Sequence, residues 1–215
     1  MKQPKPPKIT ANLDSQSVGG SSKLDLSSLL LGDTSPIDTV TLSSLGTYMF
    51  FEEVDADSIK PACEFIIKAN FVFEPDMTLS FIINTPGGNA YDGFALVDTM
   101  DMSRLQIQTV AVGHVCSMGA IIFIAGTKGK RIMTRNSYMM LHQFSDYGEG
   151  KYHEFVAHRE HQDDLHDRFV KHVIERTKLK EKQVRDIFLG KDDKWITAKD
   201  ALKMGLCDAI KNPWE

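Results

Sequence analysis

The sequence contains little cysteine and has no apolar run long enough to span a membrane. Only three cysteines, Cys63, Cys116 and Cys207, occur among 215 residues. Because they are widely spaced and odd in number, we expect reduced thiols and no disulfide framework. No apolar run approaches the roughly 20 residues of a membrane-spanning helix, and no apolar core follows the lysines near the start, as it would in a secretory signal. These observations predict a cytoplasmic protein.

The sequence also has no excess of positive charge. It carries 25 Lys and Arg against 29 Asp and Glu, a net charge of -4. A general nucleic-acid-binding protein usually shows a basic excess, so we expect no nucleic-acid partner. With 42% hydrophobic and 25% charged residues, the composition is typical of a globular protein with a substantial core.

The chain divides into two parts by composition. Residues 1 to about 23 are rich in Pro, Lys, Gly and Ser, and they cannot bury enough apolar area to offset the entropy of ordering. A short apolar segment at 24–32, "LDLSSLLLG", either packs against the body or serves in assembly or gating. We therefore predict a flexible N-terminal tail or axial segment at 1–44 and a folded domain at 45–215.

Strand patterns alternate with helix patterns through the predicted domain, which indicates an α/β fold. The long helix is polar on most of its surface and would span roughly 40 Å at about 1.5 Å per residue, so we expect it to project from the body. The predicted elements are a strand at 46–54, a helix at 55–73, a strand at 77–88, a helix at 90–104, a strand at 105–116, a helix after residue 117, a strand at 130–143, a long helix at 151–178 and a short final helix ended by Gly205.

A single serine, Ser117, lies between the predicted strand at 105–116 and the helix that follows. A helix N-terminus offers free N–H groups and the positive end of the helix dipole. If Ser117 attacks a carbonyl, the N–H of Met118 lies close to the developing oxyanion. The alternative is that Ser117 only caps the helix, as serines often do.

Two further features strengthen the interpretation of Ser117 as a nucleophile. The segment "NTPGGNA" supplies Gly87 and Gly88, which allow a close approach of the backbone to a ligand. His142 ends the apolar strand "SYMMLHQ". Each feature alone could be structural, but together they supply an oxyanion hole, a nucleophile and a general base.

The ordered run "INTPGG…GHVCSMGA…AGTKGKR…NSYMMLHQ" resembles the ClpP serine peptidases. The separations of 25 residues from Ser117 to His142 and of 29 residues from Gly88 to Ser117 match that family. The resemblance covers about residues 45–212 and is much weaker before them.

The resemblance implies Ser117 as nucleophile, His142 as general base, and the N–H groups of Gly88 and Met118 as the oxyanion hole. It implies the ClpP/crotonase-like fold of repeated ββα units, in which the helix at 151–178 is a projecting handle that joins two heptameric rings into a tetradecamer. The implied function is a self-compartmentalised serine endopeptidase that degrades unfolded polypeptides supplied by an AAA+ unfoldase. The resemblance implies no metal and no organic cofactor.

The third catalytic residue departs from the family pattern. Ungapped alignment backward from Trp195 places Leu189 at the position of the family's aspartate, and alignment forward from Val184 reaches Ile187 and needs extra residues. The acid must therefore come from a rearranged loop. Asp192 is the preferred candidate, Asp193 is next because it also matches a structural aspartate of the family, and Asp186 follows. A serine–histidine dyad without a carboxylate is the remaining alternative.

The predicted docking surface for the unfoldase also departs from the family. Ser80 and Thr134 are polar where relatives usually carry apolar groups, so we expect atypical docking. The aligned cleft positions are Ser80, Ile82, Val110, Val112 and Thr134.

Histidines recur along the long predicted helix, and His158, His161 and Asp164 have a helical spacing that could hold a metal. A solvated face is the preferred interpretation, so no metal site is predicted. Cys116, beside Ser117, is predicted to lie in the core.

Two other functions remain compatible with the sequence. One is a catalytically impaired ring subunit that keeps Ser117 and His142 but lacks a working acid. The other is a crotonase-like acyl-CoA enzyme, against which the serine and histidine at peptidase spacing argue.

Overall fold

The computed structural model of the chain describes residues 41–143, 145, 150–188 and 190–213. Most of the predicted tail, including its apolar segment at 24–32, lies outside these residues. The described part begins with a 3-10 helix at Leu42–Leu45, which Thr41 caps by accepting a hydrogen bond from the Ser44 N–H. The division at residue 44 stays a prediction.

The described chain forms a mixed arrangement of strands and helices, so the predicted α/β class is confirmed. The strands are β1 (Thr47–Phe50), β2 (Thr78–Thr85), β3 (Gln106–Cys116), β4 (Arg131–Met133), β5 (Tyr138–Leu141), β6 (Lys194–Thr197) and β7 (Ala209–Ile210). The helices are α1 (Ala56–Val72), α2 (Ala90–Met102), α3 (Met118–Ile124), α4 (Tyr152–Arg176), α5 (Glu181–Phe188) and α6 (Ala198–Met204).

A seven-stranded sheet organises the fold around the long strand β3. Strands β1, β2, β3, β4 and β7 pair in that order and are all parallel. β3 has 11 residues, so its first half pairs with β4 and its last residues pair with β5. β6 then adds to β5 in the antiparallel direction, which brings the chain near 193 to the end of β3.

The core lies between this sheet and the helices. Along β2 buried and half-buried residues alternate, and Leu79, Phe81 and Ile83 are fully buried, as the period of two in a strand requires. All residues of α3 are buried, which fits its apolar sequence on every face. The residue before α3 is Ser117, so the fold delivers this serine at the end of a strand and the start of a core helix.

Several sequence predictions need correction at the level of elements. The predicted strand at 130–143 is two strands, β4 and β5, because the Thr134–Ser137 turn redirects the chain to a different part of β3. Helix α5 and strands β6 and β7 were not predicted. Asp55 is the N-cap of α1, where it forms a capping box with Ser58.

The long helix α4 is confirmed, but its apolar side is buried over only part of its length. Leu165, Phe169 and Val173 lie in the core, whereas Phe155 and Val156 remain exposed. The second half of α4 therefore belongs to the body, and its first turns present an apolar surface.

Candidate active site

Ser117 has a backbone conformation that is unusual for a residue with a side chain. Its φ is 52° and its ψ is −125°, and it is the one non-glycine residue with positive φ in the described chain. Its N–H donates to the Met140 carbonyl at 2.8 Å, and its carbonyl accepts from the Ala120 N–H at 3.0 Å. Such backbone strain costs on the order of 1–3 kcal/mol and persists where surrounding contacts enforce it.

The Ser117 side chain does not cap the helix that follows it. It forms no capping hydrogen bond, so the interpretation of Ser117 as a simple N-cap is wrong. Its Oγ instead lies 2.8 Å from Nε2 of His142. If Oγ–H donates this bond, the imidazole must carry its proton on Nδ1, which is the tautomer that a general base needs.

The pairing of β3 with β5 explains how Ser117 and His142 meet across 25 residues. Cys116 and Met140 are partners in this parallel register, and the two strands end beside each other. Ser117 and His142 follow these ends, so their side chains converge at one edge of the sheet.

The pairing of β5 with β6 places a carboxylate on the other side of the imidazole. Leu141 pairs with Lys194 in the antiparallel register, so the residue after β5 lies opposite the residue before β6. These residues are His142 and Asp193, and their Nδ1 and Oδ1 atoms are 3.8 Å apart. This separation exceeds a hydrogen bond of about 2.7–3.2 Å, and the Asp193 side chain is 58% exposed.

The geometry therefore favours Asp193 over Asp192, which the sequence ranked first. In the described part of the chain Asp192 forms neither a hydrogen bond nor an ion pair with His142, and it is exposed. Asp186 pairs with Lys182 on α5, and Ile187 packs against the core. Leu189 lies outside the described residues.

The first of the two glycines after β2, Gly87, lies directly against the serine turn, and Gly88 lies against Val54. Gly87 has φ 93°, and a Cβ added there would lie 2.8 Å from Cβ of Ser117 and 3.0 Å from N of Met118. Only glycine allows this approach. Gly88 forms a parallel β-bridge with Val54. In this bridge the Val54 N–H donates to the Gly87 carbonyl and the Asn89 N–H donates to the Val54 carbonyl, so the bridge does not use the Gly88 N–H.

The second amide of the site comes from the start of α3. Met118 is the first residue of the helix, so its N–H has no intrahelical acceptor. Its side chain is buried against Gly93 of α2, where an added Cβ would collide with it. Of the predicted oxyanion-hole residues, Met118 directly follows Ser117, and Gly88 follows Gly87, which contacts the serine turn. Amides aimed at a developing oxyanion stabilise its negative charge.

The remaining sequence-selected residues have other surroundings. Cys116 is in the core, as predicted, and burial raises the pKa of its thiol. Cys63 and Cys207 are likewise free thiols.

Of the three residues at helical spacing on α4, His161 and Asp164 are exposed and His158 is half-buried. His166 and His172, further along α4, are buried. His161 lies with its Nε2 2.5 Å from the Tyr91 hydroxyl. Among the residues that the structure describes, no three His, Cys, Asp or Glu side chains cluster in a way that could hold a metal.

The polar residues at the predicted docking positions bond within the chain. The Thr134 hydroxyl donates to the Ala111 carbonyl at 3.1 Å, and the Ser80 hydroxyl accepts from the Gln108 amide at 3.3 Å. Val110 is fully buried.

A serine on a strained turn, a histidine within hydrogen-bond distance, a nearby carboxylate and two candidate oxyanion amides form the constellation of a serine hydrolase. The chain belongs to the Clp protease family, whose model matches residues 49–213. It is also 34% identical over 137 residues to the "ATP-dependent Clp protease proteolytic subunit" of Deinococcus radiodurans. That alignment covers 63% of this chain and 66% of the relative, just under two thirds of its length.

The comparisons confirm the resemblance seen in the sequence, and the mixed α/β fold is that of a Clp protease family member. Within the described ranges, every helix is either too short or too polar to cross a membrane.

Proposed function

We propose that the protein is a serine endopeptidase and forms the proteolytic subunit of a ring-shaped, self-compartmentalised protease. The observation that carries this proposal is the 2.8 Å contact between Oγ of Ser117 and Nε2 of His142. This contact is made by a serine whose backbone is held at φ 52° and whose side chain has no capping role.

The chemistry follows from the positions of the atoms. His142 Nε2 accepts the Oγ proton as Ser117 attacks the peptide carbonyl, and the oxyanion is stabilised by the N–H groups of Gly88 and Met118. The imidazolium then gives its proton to the leaving amine, and an acyl ester remains on Ser117. A water molecule activated by His142 hydrolyses the ester and restores the serine. Asp193 stabilises the imidazolium, and neither a metal nor an organic cofactor takes part.

The proposal includes the assembly and the partners that family membership suggests. Two stacked heptameric rings would enclose the sites, and a cytoplasmic AAA+ unfoldase would supply unfolded polypeptides. Ser80 and Thr134 place hydroxyl groups, each hydrogen-bonded within the chain, where the family usually carries apolar side chains, so the unfoldase contact is expected to differ.

The decisive test is active-site labelling combined with a cleavage assay. The assembled wild-type protein should react with a fluorophosphonate at Ser117 and cleave small fluorogenic peptides. Ser117→Ala should abolish both signals while the ring still forms. An assembled wild-type protein that neither labels nor cleaves would overturn the proposal.

The second candidate is a catalytically impaired ring subunit. The long His142–Asp193 distance and the exposure of Asp193 favour it. Such a subunit would assemble without reacting in either assay. A crotonase-like acyl-CoA enzyme could use the two amides, but it has no need of the Ser117–His142 pair, and binding of a coenzyme A thioester would be its test.

A further inference from the structure

The short helix α3 controls the position of the candidate nucleophile. It has only seven residues, and a helix of this length is unstable without tertiary support. The carbonyl of Ser117 accepts hydrogen bonds from the N–H groups of Ala120 and Ile121, at 3.0 and 3.4 Å. A shift of the Ile121 backbone would therefore move the Ser117 carbonyl with it.

A buried histidine of α4 holds the carbonyl of the same residue, Ile121, in the next peptide unit. Nε2 of His172 lies 3.1 Å from the carbonyl oxygen of Ile121. Nδ1 of His172 accepts from the Nε–H of Arg176 at 3.3 Å. Because Nδ1 accepts, the proton must be on Nε2, and His172 donates to the Ile121 carbonyl.

The surroundings keep the His172 imidazole neutral. Burial lowers its pKa, the charge of Arg176 lowers it further, and together they bring it to about 4. The Ile121 hydrogen bond and Asp101 act in the opposite direction with a smaller effect. At neutral pH the ring can therefore accept from Arg176 and donate to Ile121 at the same time.

The other end of this chain of contacts is fixed to α2. Arg176 Nη2 pairs with the Asp101 carboxylate at 2.5 Å, and the His172 ring packs edge-on against Phe94, with ring centroids 6.2 Å apart. Asp101 and Phe94 belong to α2, which begins two residues after Gly88. The contacts thus join α2, which follows the candidate oxyanion amide of Gly88, to α3, which begins with the candidate oxyanion amide of Met118.

We infer that His172 is a positioning residue for the peptidase site: by holding the Ile121 carbonyl, it fixes α3, and with it Ser117 and the Met118 amide, relative to Gly88. This inference rests on the proposed function. His172 acts through α3, so its effect should fall on the chemical step more than on substrate binding.

Two substitutions at this position separate the hydrogen bonds from the volume of the ring. His172→Leu fills the space but can neither donate to Ile121 nor accept from Arg176. His172→Gln keeps one donor and one acceptor. We expect the leucine variant to lower kcat about tenfold with KM unchanged, less than the 100-fold to 1,000-fold loss that removal of an oxyanion donor causes. The glutamine variant should recover most of the rate.

A control on the same helix distinguishes positioning from loss of stability. Ile174 is partly buried against the core and takes no part in the His172 contacts. Ile174→Ala should lower the free energy of unfolding and leave kcat close to the wild-type value.

Amide hydrogen exchange of residues 117–125 gives a readout that does not depend on activity. Exchange should be faster in His172→Leu than in Ile174→Ala, and close to wild type in His172→Gln. Equal exchange and equal kcat in His172→Leu and Ile174→Ala would overturn the inference. Absence of labelling in the wild-type protein would instead overturn the proposed function, while the exchange comparison would still decide whether His172 positions α3.

Discussion

At position 117 the backbone and the side chain have opposite requirements. A φ of 52° with a ψ of −125° suits glycine, whereas the proposed chemistry needs a hydroxyl. The hydrogen bonds to Met140 and Ala120 keep Ser117 in this conformation. The strained conformation of Ser117 should therefore lower the free energy of unfolding, and a substitution at this position can measure by how much.

Ser117→Gly should be more stable than Ser117→Ala, although both lack the nucleophile. Glycine relieves the backbone strain, and this gain should exceed the loss from its greater backbone entropy in the unfolded chain. The free energy of unfolding of Ser117→Gly should therefore be higher by about 1 kcal/mol. Urea unfolding of the two variants at one protein concentration would measure the difference. Equal midpoints would show that the conformation stores no such strain.

The two adjacent aspartates before β6 provide a matched pair for identifying the acid. Asp193→Asn should lower kcat by about two to four orders of magnitude, because an amide neither stabilises the imidazolium nor holds the required tautomer. Asp192→Asn should stay close to wild type. Peptide cleavage rates for the two variants check this, and the reverse order of effects would restore Asp192 as the acid.

Ser117 and the glycines at 87 and 88 had local signals in the sequence: glycines after a strand, and a serine between a strand and an apolar helix. The roles of Gly88, Met118 and His142 came from the spacing that the sequence shares with the ClpP peptidases. The acid could not be selected with the same certainty. Its position depends on the register of β6 against β5, and the sequence of β6, "KWIT", buries a single residue. A pattern with one buried residue does not reveal a strand.

At the scale of elements, a buried arginine joins the second half of the sheet to two helix ends. Arg131, on β4, is 3% exposed and donates to the Asp208 carboxylate at 2.6 and 2.9 Å. It also donates to the carbonyls of Arg176 and Gly205, which lie at the ends of α4 and α6. Burial alone would raise the pKa of Asp208, but the Arg131 and backbone hydrogen bonds outweigh it and lower that pKa.

Arg131→Met should destabilise the protein by about 3–5 kcal/mol, because it leaves the Asp208 carboxylate without its partner. Arg185→Met is the control, since Arg185 pairs with Asp167 and Glu181 at the surface, where such pairs contribute at most about 1 kcal/mol. The free energy of unfolding in urea gives both values. Equal losses would show that Arg131 has no special role.

The pH dependence of the same variants follows from the lowered pKa of Asp208. The carboxylate contributes stability above its unfolded pKa of about 4, and this contribution is lost as the pH falls through the lower folded pKa. The wild-type protein should therefore lose more stability than Arg131→Met on acidification below about pH 4.

The elements that the sequence missed are the short ones. Strands β4 and β7 have three and two residues, too few for a periodic pattern to be recognised. Helix α5 left a weak signal in Val184 and Ile187, which are three residues apart and pack against the core. The long elements were found because their apolar period persists over many residues.

At the scale of the whole molecule, the first turns of α4 present apolar side chains that the described chain leaves uncovered. Tyr152 is 85% exposed, and Phe155 and Val156 are about half exposed. The proposed handle role gives this surface a partner, the same helix in the opposite ring.

Two stacked heptamers of a 24.1 kDa chain would have a mass of about 340 kDa. We expect this mass for the protein and for Ser117→Ala by light scattering after size exclusion. Phe155→Glu combined with Val156→Glu should give single rings of about half that mass. Lys171→Glu, an exposed change further along α4, should leave the assembly intact, and loss of stacking in this control would point to a general effect of charge.

The pairing of β5 with β6 has a consequence for how this site tolerates changes in chain length. The register of β6 against β5 pairs Leu141 with Lys194, so the residue directly before Lys194 lies beside His142. The two residues before Lys194 are both aspartates, Asp192 and Asp193. Deletion of Asp193 is expected to bring Asp192 into its place, so the proposed site would keep a carboxylate beside His142 after the loss of one codon.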